Sequence, residues 1–351
     1  MGRRVVANTN PTPLQPLAMP HERFIAADVG GTHVRIGLVQ ESGDPAHPVS
    51  VLHYRKYVCA QYPGLAEIIE DFVSGLDGVA VSEGAIASAG YPLDGSLITV
   101  NLPWQVSLED IRARLGFRAF RLVNDFEAVA HAAAYVDASE VLQLTGPDTA
   151  PPGPTLVVGP GTGLGAAVWI PTAHGPVVLA TEAGQAALTT GNELEMALLK
   201  QMLGQRSHVP VEHALSGPGL MHLHAALCAL HGTTSDYRTP DAITAAALDG
   251  SDTRARESLG VFCGLLGSTV GDMALLYGVQ GGIYLAGGIL PQIRGFLLQS
   301  SFVERFLNKG PMREALERIP VKLVEHGQLG VIGAASWYLS SAVNETGKQA
   351  H

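Results

Sequence analysis

The chain has 351 residues, of which 46% are hydrophobic and 15% charged, and its formal net charge at pH 7 is −10. This length allows two domains, each with its own hydrophobic core. The acidic balance argues against nucleic acid or an anionic membrane as the main partner, because both carry negative charge themselves. The three scattered cysteines indicate neither a disulfide framework nor a zinc motif, which favours a reducing cytoplasm.

The N-terminal residues 1–21 contain two arginines but no apolar segment, and four prolines lie between Pro11 and Pro20. We therefore expect a disordered extension rather than a secretory signal. A second candidate for membrane contact is Leu259–Val279, which is long and apolar enough to span a bilayer. It contains Asp272 and several glycines, so the preferred prediction is a buried core helix.

The stretch Phe24–Gln40 (FIAADVGGTHVRIGLVQ) predicts a strand, a tight turn and a second strand. Backbone N–H groups and a threonine hydroxyl in such a turn suit phosphate oxygens. Asp28, at the end of the first strand, can hold a hydrated Mg²⁺ through a single carboxylate. A Gly-Gly-Thr hairpin on its own is usually only a turn.

A second copy of this pattern occupies Thr155–Ile170 (TLVVGPGTGLGAAVWI). Two such hairpins indicate a duplicated unit that presents two Gly-Thr turns to one ligand. This repetition makes phosphate binding the preferred interpretation of both turns.

Other glycine motifs are excluded by the residues that follow the glycines. Neither turn has the lysine of a Walker motif. The run from Gly161 to Ala166 formally satisfies G-x-G-x-x-A, with Glu182 about 20 residues further on. That dinucleotide fingerprint must open a helix, whereas AAVWIP predicts a strand closed by proline. The H-R-D and D-F-G motifs that accompany a protein-kinase glycine loop are absent from the sequence.

The rest of the chain alternates strand and helix patterns, with a proline-rich junction at Leu144–Pro154. Before the junction we predict a third strand at Val49–Ala60, a helix at Pro63–Leu76, a strand in AIASAG, a helix capped by Ser107 and a strand at Phe120–Val123. After it we predict helices at Glu193–Leu203, beyond SGPG, after Thr239 and at Arg256–Tyr277, a strand with a Gly-Gly turn in Gly281–Ile293, a strand VKLVEH and a closing helix.

Asn124-Asp125 follows the strand Phe120–Val123, at the end of the sheet where α/β folds place ligands. Asn124, with Glu127 three residues later, also resembles a capping box, and helix caps are commoner than catalytic bases. A lone aspartate at this position can otherwise accept the proton of an attacking hydroxyl. Spacing alone leaves both interpretations open.

The Gly-Gly pair in Gly281–Ile293 also has two interpretations. Gly287 and Gly288 allow either close packing of a strand against a helix or a flat surface for an adenine ring beside Leu290 and Pro291. The spacing does not choose between them.

Five motifs, taken together and in this order, resemble the bacterial glucokinases: DVGGT at 28–32, NDFEAVA at 124–130, GPGTGLG at 159–165, LSGPG at 215–219 and AGGI at 286–289. The resemblance extends over nearly the whole chain. It places the sequence in the sugar kinase, actin and Hsp70 superfamily and apart from the ROK kinases, whose cysteine-rich zinc motif is absent here.

The resemblance implies an α/β fold of the two-domain, actin-like ATPase (ribonuclease H-like) type with a deep interdomain cleft. The small domain would cover residues 22–136, completed by a C-terminal helix at 327–345, and the large domain would cover residues 137–326. The implied activity is phosphorylation of the 6-hydroxyl of glucose by ATP-Mg²⁺ to give glucose 6-phosphate and ADP, the first step of glycolysis. We expect a cytoplasmic homodimer.

The resemblance also assigns roles to residues. Asp125 would be the base that deprotonates the sugar hydroxyl, and Asp28 would lie near Mg²⁺, contacting it through water. The sugar would be bound by Asn101, Asn124, Asp125, Glu182, Gln185 and Glu212. The phosphates would be bound by Gly30, Gly31 and Thr32 and by Gly161 and Thr162, and the adenosine by Gly287 and Gly288.

The chain departs from the family pattern at two positions. The family has E-G-G-H where this chain has Glu182-Ala183-Gly184-Gln185, and His33 replaces the asparagine after GGT. Glutamine donates and accepts hydrogen bonds but carries no proton-dependent charge. Two alternatives to a glucokinase are therefore a kinase for another hexose and a sugar-sensing homologue with little turnover. Asp28 and Asp125 argue against the sensor, which has no need of a base.

Overall fold

The computed structural model describes residues 23–44, 47–93, 96–98, 102–133, 135–136, 140–173, 175–325 and 327–349. Only the backbone is described for residues 91–98 within these ranges and for residues 342–349. The predicted extension at residues 1–21 and the predicted sugar ligand Asn101 lie outside the described residues.

The described chain is built from strands and helices that alternate along most of its length. The strands are β1 Phe24–Val29, β2 His33–Asp44, β3 His47–Val58, β4 Glu83–Ser88, β5 Tyr91–Leu93, β6 Ser96–Ile98, β7 Val106–Ser107, β8 Ala119–Asn124, β9 Val141–Thr145, β10 Thr155–Pro160, β11 Leu164–Ile170, β12 Val177–Thr181, β13 Gly282–Leu285 and β14 Val321–Val324. The helices are α1 Leu65–Ser74, α2 Leu108–Leu115, α3 Asp125–Ala133, α4 Glu193–Leu203, α5 Gly217–Leu230, α6 Pro240–Asp249, α7 Thr253–Leu276, α8 Arg294–Gln299, α9 Phe302–Leu307, α10 Arg313–Leu316 and α11 Leu329–Gln349.

Two mixed sheets repeat the same arrangement of strands. The first has the order β3-β2-β1-β4-β8 and the second the order β12-β11-β10-β13-β14-β9. In each, an antiparallel three-stranded meander is followed by two parallel strands, and β9 extends the second sheet. The predicted α/β class is confirmed. The duplication inferred from the two hairpins is also confirmed, and it extends to the whole sheets.

The first sheet is covered on both faces because successive side chains of a strand point in opposite directions. In β1, Ile25, Ala27 and Val29 pack in a core that includes α1. Phe24 and Ala26 pack on the other side, in a core formed with α11. A strand buried on both faces explains why FIAADV is almost continuously apolar.

Helix α3 lies where the two halves of the fold meet, and its alanines make this close packing feasible. Ala128 belongs to the core shared with α11, whereas Ala130 and Ala133 pack with Val157 of the second sheet. The closing helix, predicted from its small residues, is confirmed as α11. The domain boundaries expected at residues 136 and 326 stay predictions.

Helix α7 is the one helix of the described chain that is long and apolar enough to cross a membrane. In its most apolar window, 67% of the residues are buried inside the structure. Leu259, Phe262 and Leu266 are completely buried in the core of the second sheet. Its apolar surface is therefore used in packing, as predicted for this segment.

Several elements were not predicted from the sequence. Strands β9 and β12 lie at the two edges of the second sheet, and β5–β7 form a separate three-stranded sheet of very short strands. Helices α8, α9 and α10 have only four to six residues. Elements this short contain too few residues to show a hydrophobic period.

The pH dependence of stability offers a first prediction, which concerns His131 in α3. Its side chain is only 9% exposed, and burial lowers its pKa from 6.5 to about 4. The unfolded chain therefore binds a proton below pH 6.5 that the folded chain does not bind until about pH 4. This difference lowers the free energy of unfolding by about 2 kcal/mol between pH 7.5 and pH 5.

Chemical denaturation of wild type and His131→Leu at both pH values measures this effect, with the exposed His231→Gln as the control. We expect the fall in stability to be about 2 kcal/mol smaller in His131→Leu than in the other two proteins. Equal falls in all three would show that His131 does not set the pH dependence.

Candidate active site

One cavity of about 220 Å³ is lined by residues of both sheets and by the start of α3. It brings together nine of the predicted site residues: Asp28, Gly30, Gly31, Asn124, Asp125, Gly161, Thr162, Glu182 and Glu212. Thr32, Gln185, Gly287 and Gly288 are not among its lining residues. The two Gly-Thr turns and the two aspartates therefore face one shared space.

The first turn, between β1 and β2, is held by hydrogen bonds on both sides. The N–H of Gly30 donates to the carbonyl of His33 at 3.0 Å. Behind the turn, Cys59 donates through its backbone N–H to Thr32 and through its thiol to Gly30, at 3.0 and 3.3 Å. Thr32 itself is exposed. These bonds fix the turn and leave the backbone of Gly30 and Gly31 at the cavity wall.

The second turn, between β10 and β11, is joined to helix α5. The N–H of Gly161 donates to Gly163 at 2.7 Å, and the carbonyl of Gly161 accepts from the N–H of Gly217 at 2.8 Å. Ser216 caps α5 by accepting from the N–H of Gly219 at 2.9 Å. The SGPG motif thus supports the second turn from behind.

Asp28 is paired across the first hairpin with Arg35, which is its register partner on β2. Arg35 Nη1 donates to Asp28 Oδ2 at 2.9 Å. Burial raises the pKa of Asp28, and the charge of Arg35 opposes this increase. Arg35 was not singled out from the sequence. The register of a tight hairpin could have found it, because the residues opposite each other follow from the turn length.

The position of Asp28 fits a hydrated magnesium ion. Its carboxylate faces the cavity, and the hydrogen bond from Arg35 engages only one of its two oxygens. Mg²⁺ is usually held by one or two carboxylates and keeps several of its waters. Burial disfavours the ionised carboxylate, so a nearby cation would stabilise it.

Asp125 is the first residue of α3 and follows the last residue of β8. Its pKa is raised from 3.8 to about 6, mainly by burial and also by the charges of Asp28 and Glu182. The N–H of Phe126 donates to Asp125 Oδ1 at 2.9 Å, which acts in the opposite direction. A carboxylate with a pKa near the working pH is suited to accept a proton from a hydroxyl.

Asn124 resolves the question of whether this motif is a helix cap. Its Oδ1 accepts from the N–H groups of Phe126 and Glu127 at 3.0 and 3.1 Å, so Asn124 caps α3. The Glu127 carboxylate accepts from Trp337 Nε1 at 3.1 Å. Asn124 is therefore a cap of α3, and the neighbouring Asp125 lines the cavity.

The side chains of Glu212 and Gln185 are hydrogen-bonded to each other. Gln185 Nε2 donates to Glu212 Oε1 at 2.8 Å, and the N–H of Leu164 donates to Glu212 Oε2 at 3.3 Å. The carbonyl of Gln185 accepts from His208 Nε2 at 3.0 Å. Gln185 therefore acts on the cavity through Glu212, whereas Glu182 is exposed and lines the cavity itself.

Gly287 lies two residues after the end of β13 and beside the end of β10. Its φ is +114°, and a Cβ built there would overlap the carbonyl oxygen of Pro160. Gly287 is therefore closely packed, but against the end of strand β10 and not against a helix as expected, whereas Gly288 has no neighbouring atom within 4 Å of an added Cβ. An adenosine contact at this pair stays a prediction.

Ser88 is a cavity residue that the sequence did not reveal. It ends β4, its side chain is 1% exposed, and its hydroxyl donates to the carbonyl of Val29 at 3.2 Å. A serine at the end of an apolar strand resembles an ordinary turn residue, so its position gave no signal. Its hydrogen bond joins the ends of β1 and β4 below the first turn.

Comparison with known proteins gives one consistent result. A family model described as Glucokinase matches residues 25–341. A protein named "Glucokinase-like protein" from Xylella fastidiosa is 55% identical over 318 residues, which cover 90% of this chain and 95% of that protein.

Solved structures agree in fold. The crystal structure of glucokinase from an Antarctic psychrotroph has a TM-score of 0.79 and 32% identity, covering 90% of this chain and 98% of that one. A ROK family glucokinase from Streptomyces griseus, solved in complex with glucose and AMPPNP, has a TM-score of 0.60 and 21% identity, covering 90% and 98%. The actin-like ATPase fold expected from the sequence is confirmed.

The contact between Phe126 and Gly165 leads to a prediction about how α3 is placed. A Cβ at Gly165 would overlap the Phe126 ring, so the second hairpin approaches α3 where a side chain is missing. Gly165→Ala should lower the free energy of unfolding by about 1–3 kcal/mol through overpacking. Gly161→Ala is the matched control, because an added Cβ there meets no atom within 4 Å. Equal denaturation curves for the two variants would contradict this account.

Proposed function

The chain belongs to the glucokinase family of sugar kinases, and we propose that it transfers the γ-phosphoryl group of ATP to the 6-hydroxyl of glucose. The products are glucose 6-phosphate and ADP, as in the first step of glycolysis. One observation carries this proposal: Asp125, with its pKa of about 6, lines the same cavity as both Gly-Thr turns. A proton acceptor and two phosphate-binding turns in one cavity are what phosphoryl transfer to a hydroxyl needs.

The sugar would bind on the Asp125 side of the cavity. The Asn124 amide, the two carboxylates Glu182 and Glu212, and Asp125 offer hydrogen-bonding groups for its hydroxyls. Glu212 is held by Leu164 and Gln185, so its orientation is set before the sugar arrives. Asn101 and Gln185 complete the proposed set of sugar residues.

The nucleotide would bind along the two turns. Gly30 and Gly31 on one side and Gly161 and Thr162 on the other present backbone N–H groups and a hydroxyl to its phosphates. Thr32, Gly287 and Gly288 extend the proposed nucleotide residues beyond the cavity wall. The Streptomyces griseus glucokinase holds an ATP analogue within the same fold, which supports ATP as the donor.

Magnesium is proposed to accompany ATP, with Asp28 holding one of its waters. When bound, the ion supplies positive charge that neutralises the phosphate oxygens. Arg35 keeps the Asp28 carboxylate at the wall of the cavity through the hydrogen bond at 2.9 Å. The side chain of Asp28 is 23% exposed, which leaves room for a hydrated ion.

The chemical step needs one proton acceptor and one aligned hydroxyl. Asp125 accepts the proton as the sugar oxygen forms its bond to the γ-phosphorus, and the bond between that phosphorus and the bridging oxygen of ADP breaks. Asn124 fixes the first turn of α3 and therefore the position of Asp125. Holding the reactants in line supplies much of the rate enhancement expected for such a transfer.

Two alternatives are tested against this proposal. Gln185, bonded to Glu212, changes the surroundings of a sugar ligand, so phosphorylation of another hexose is the first alternative. A sugar-sensing protein with little turnover is the second. A coupled assay with ATP-Mg²⁺ and several hexoses distinguishes them. We expect the highest kcat/KM with glucose, and a much higher value with another hexose or no turnover would overturn the proposal.

Glucose and ATP are the proposed partners, with no role for nucleic acid or a membrane. A cytoplasmic location and a homodimeric state remain part of the proposal. Light scattering on the purified protein tests the dimer directly.

The role of Asp125 predicts a large loss of rate. Asp125→Asn keeps the size and polarity of the side chain but removes its ability to take a proton. We expect kcat to fall by about 10²–10⁴-fold while glucose affinity, measured by calorimetry, changes little. Because the pKa of Asp125 is about 6, wild-type kcat/KM should decline below that pH as the carboxyl becomes protonated. Near-normal kcat in the variant would leave Asp125 without a catalytic role.

The bond between Gln185 and Glu212 predicts a change in sugar binding. A histidine at position 185 can donate a charge-assisted hydrogen bond to Glu212, which is stronger than that of a neutral amide. Gln185→His should therefore lower the KM for glucose at pH 6.5 and keep kcat nearly unchanged. Gln185→Ala removes the donor and should raise KM about tenfold.

Repeating the comparison at pH 8.5 controls for the charge. The advantage of Gln185→His over wild type should disappear there, because the imidazole loses its proton. A KM that is the same in all three proteins at pH 6.5 would show that position 185 does not act through Glu212.

A further inference from the structure

The first turn of α11 lies directly behind Asp28. Gly330 is the second residue of this helix. A Cβ built on Gly330 would lie 2.7 Å from both Cβ and Cγ of Asp28 and 3.0 Å from its Oδ2. Carbon atoms pack at about 3.5–4.0 Å, so a side chain at position 330 cannot coexist with the present place of the Asp28 carboxylate.

Helix α11 is prevented from moving away by contacts on the next residues. Val331 is completely buried, and its Cγ1 would lie 2.9 Å from a Cβ added to Gly37 of β2. Gly333 rests against the carbonyl oxygen of Ala128 in α3 with no room for a Cβ. A densely packed interior transmits such a strain instead of absorbing it.

Asp28 is the part that can yield. Its Cβ and Cγ both lie 2.7 Å from the added atom, so turning the carboxylate alone would not relieve the overlap and the whole side chain must shift. Among the bonds described for this side chain, only the one from Arg35 holds the carboxylate, so a methyl group at position 330 would displace the carboxylate and strain that bond.

We propose that Gly330 is a positioning residue for Asp28: α11 supports the carboxylate from behind, and Arg35 holds it from the side. This inference rests on the proposed function, in which Asp28 holds a water of the magnesium ion that accompanies ATP. Groups that orient a metal-side carboxylate typically change metal affinity or activity by about 10–100-fold when they are altered.

The experiment compares Gly330→Ala with a matched substitution, Gly260→Ala in α7, where an added Cβ meets no atom within 4 Å. Calorimetric titration with AMPPNP is done with and without Mg²⁺, and kcat is measured with ATP and glucose. In Gly330→Ala we expect kcat and the Mg²⁺-dependent part of AMPPNP affinity to fall at least about tenfold. AMPPNP affinity without Mg²⁺ should stay within about twofold, and Gly260→Ala should behave as wild type.

A double-mutant cycle shows whether the effect passes through Asp28. The three atoms nearest to a Cβ built at position 330 are Cβ, Cγ and Oδ2 of Asp28, and Asp28→Gly removes all three. Gly330→Ala should lower the melting temperature in the wild-type background and leave it unchanged in the Asp28→Gly background. An equal loss in both backgrounds, or no effect on Mg²⁺-dependent binding, overturns the proposal.

The outcomes also separate this inference from the proposed function. If wild type does not bind AMPPNP with Mg²⁺, the proposed function fails and the metal role of Gly330 fails with it. The melting-temperature cycle still reports on the contact between Gly330 and Asp28 in that case. If Gly330→Ala does not fold, recovery of folding in the Asp28→Gly background supports the contact, and continued failure to fold excludes it.

Discussion

The fold depends on places where two segments pack so closely that only a glycine fits at the contact. Helix α3 is in contact with α11 where Gly333 meets the carbonyl of Ala128, and with the second hairpin where Gly165 meets the Phe126 ring. The two α3 residues in these contacts, Phe126 and Ala128, are two positions apart and therefore on nearly opposite faces, so a single short helix is fixed on two sides. Because Asp125 is the first residue of that helix, its position follows from the packing of both sheets. The packed cores therefore fix the position of Asp125, and the two Gly-Thr turns complete the wall of the cavity.

Charge within the cavity is the second constraint. Asp28 and Asp125 are both shifted toward the protonated form by burial, and Asp28 raises the pKa of Asp125 through its own charge. The charge and the hydrogen bond of Arg35 oppose the effect of burial on Asp28. The two carboxylates therefore differ in their surroundings. Arg35 favours the ionised form of Asp28, whereas the pKa of Asp125 is about 6, which suits the proton acceptor that we propose.

Much of the fold could be predicted because its local signals agree with its global arrangement. The hairpins at Asp28 and Gly161, the cap at Ser107 and the proline at the start of α6 each carry a short-range pattern that the structure retains. The site could be predicted only in part, because Arg35, Ser88 and Gly330 act through register and distance across the fold. Ser88 meets Val29 across 59 residues of sequence, and Gly330 meets Asp28 from the far end of the chain. Contacts of that kind leave no periodic trace near either residue.

The ionisation of Asp125 bears on whether the protein is a catalyst or only binds sugar. Its pKa of about 6 in the folded chain lies above the ordinary value of 3.8, so the folded state binds this proton more tightly than the unfolded state. As pH rises from 3.8 through 6, folding loses up to about 3 kcal/mol of stability from this group alone. Asparagine at this position would avoid that loss and could still hydrogen-bond a hydroxyl, donating through its amide nitrogen and accepting through its oxygen. Aspartate adds a negative charge and the ability to take up a proton, and the second property is what the proposed transfer needs.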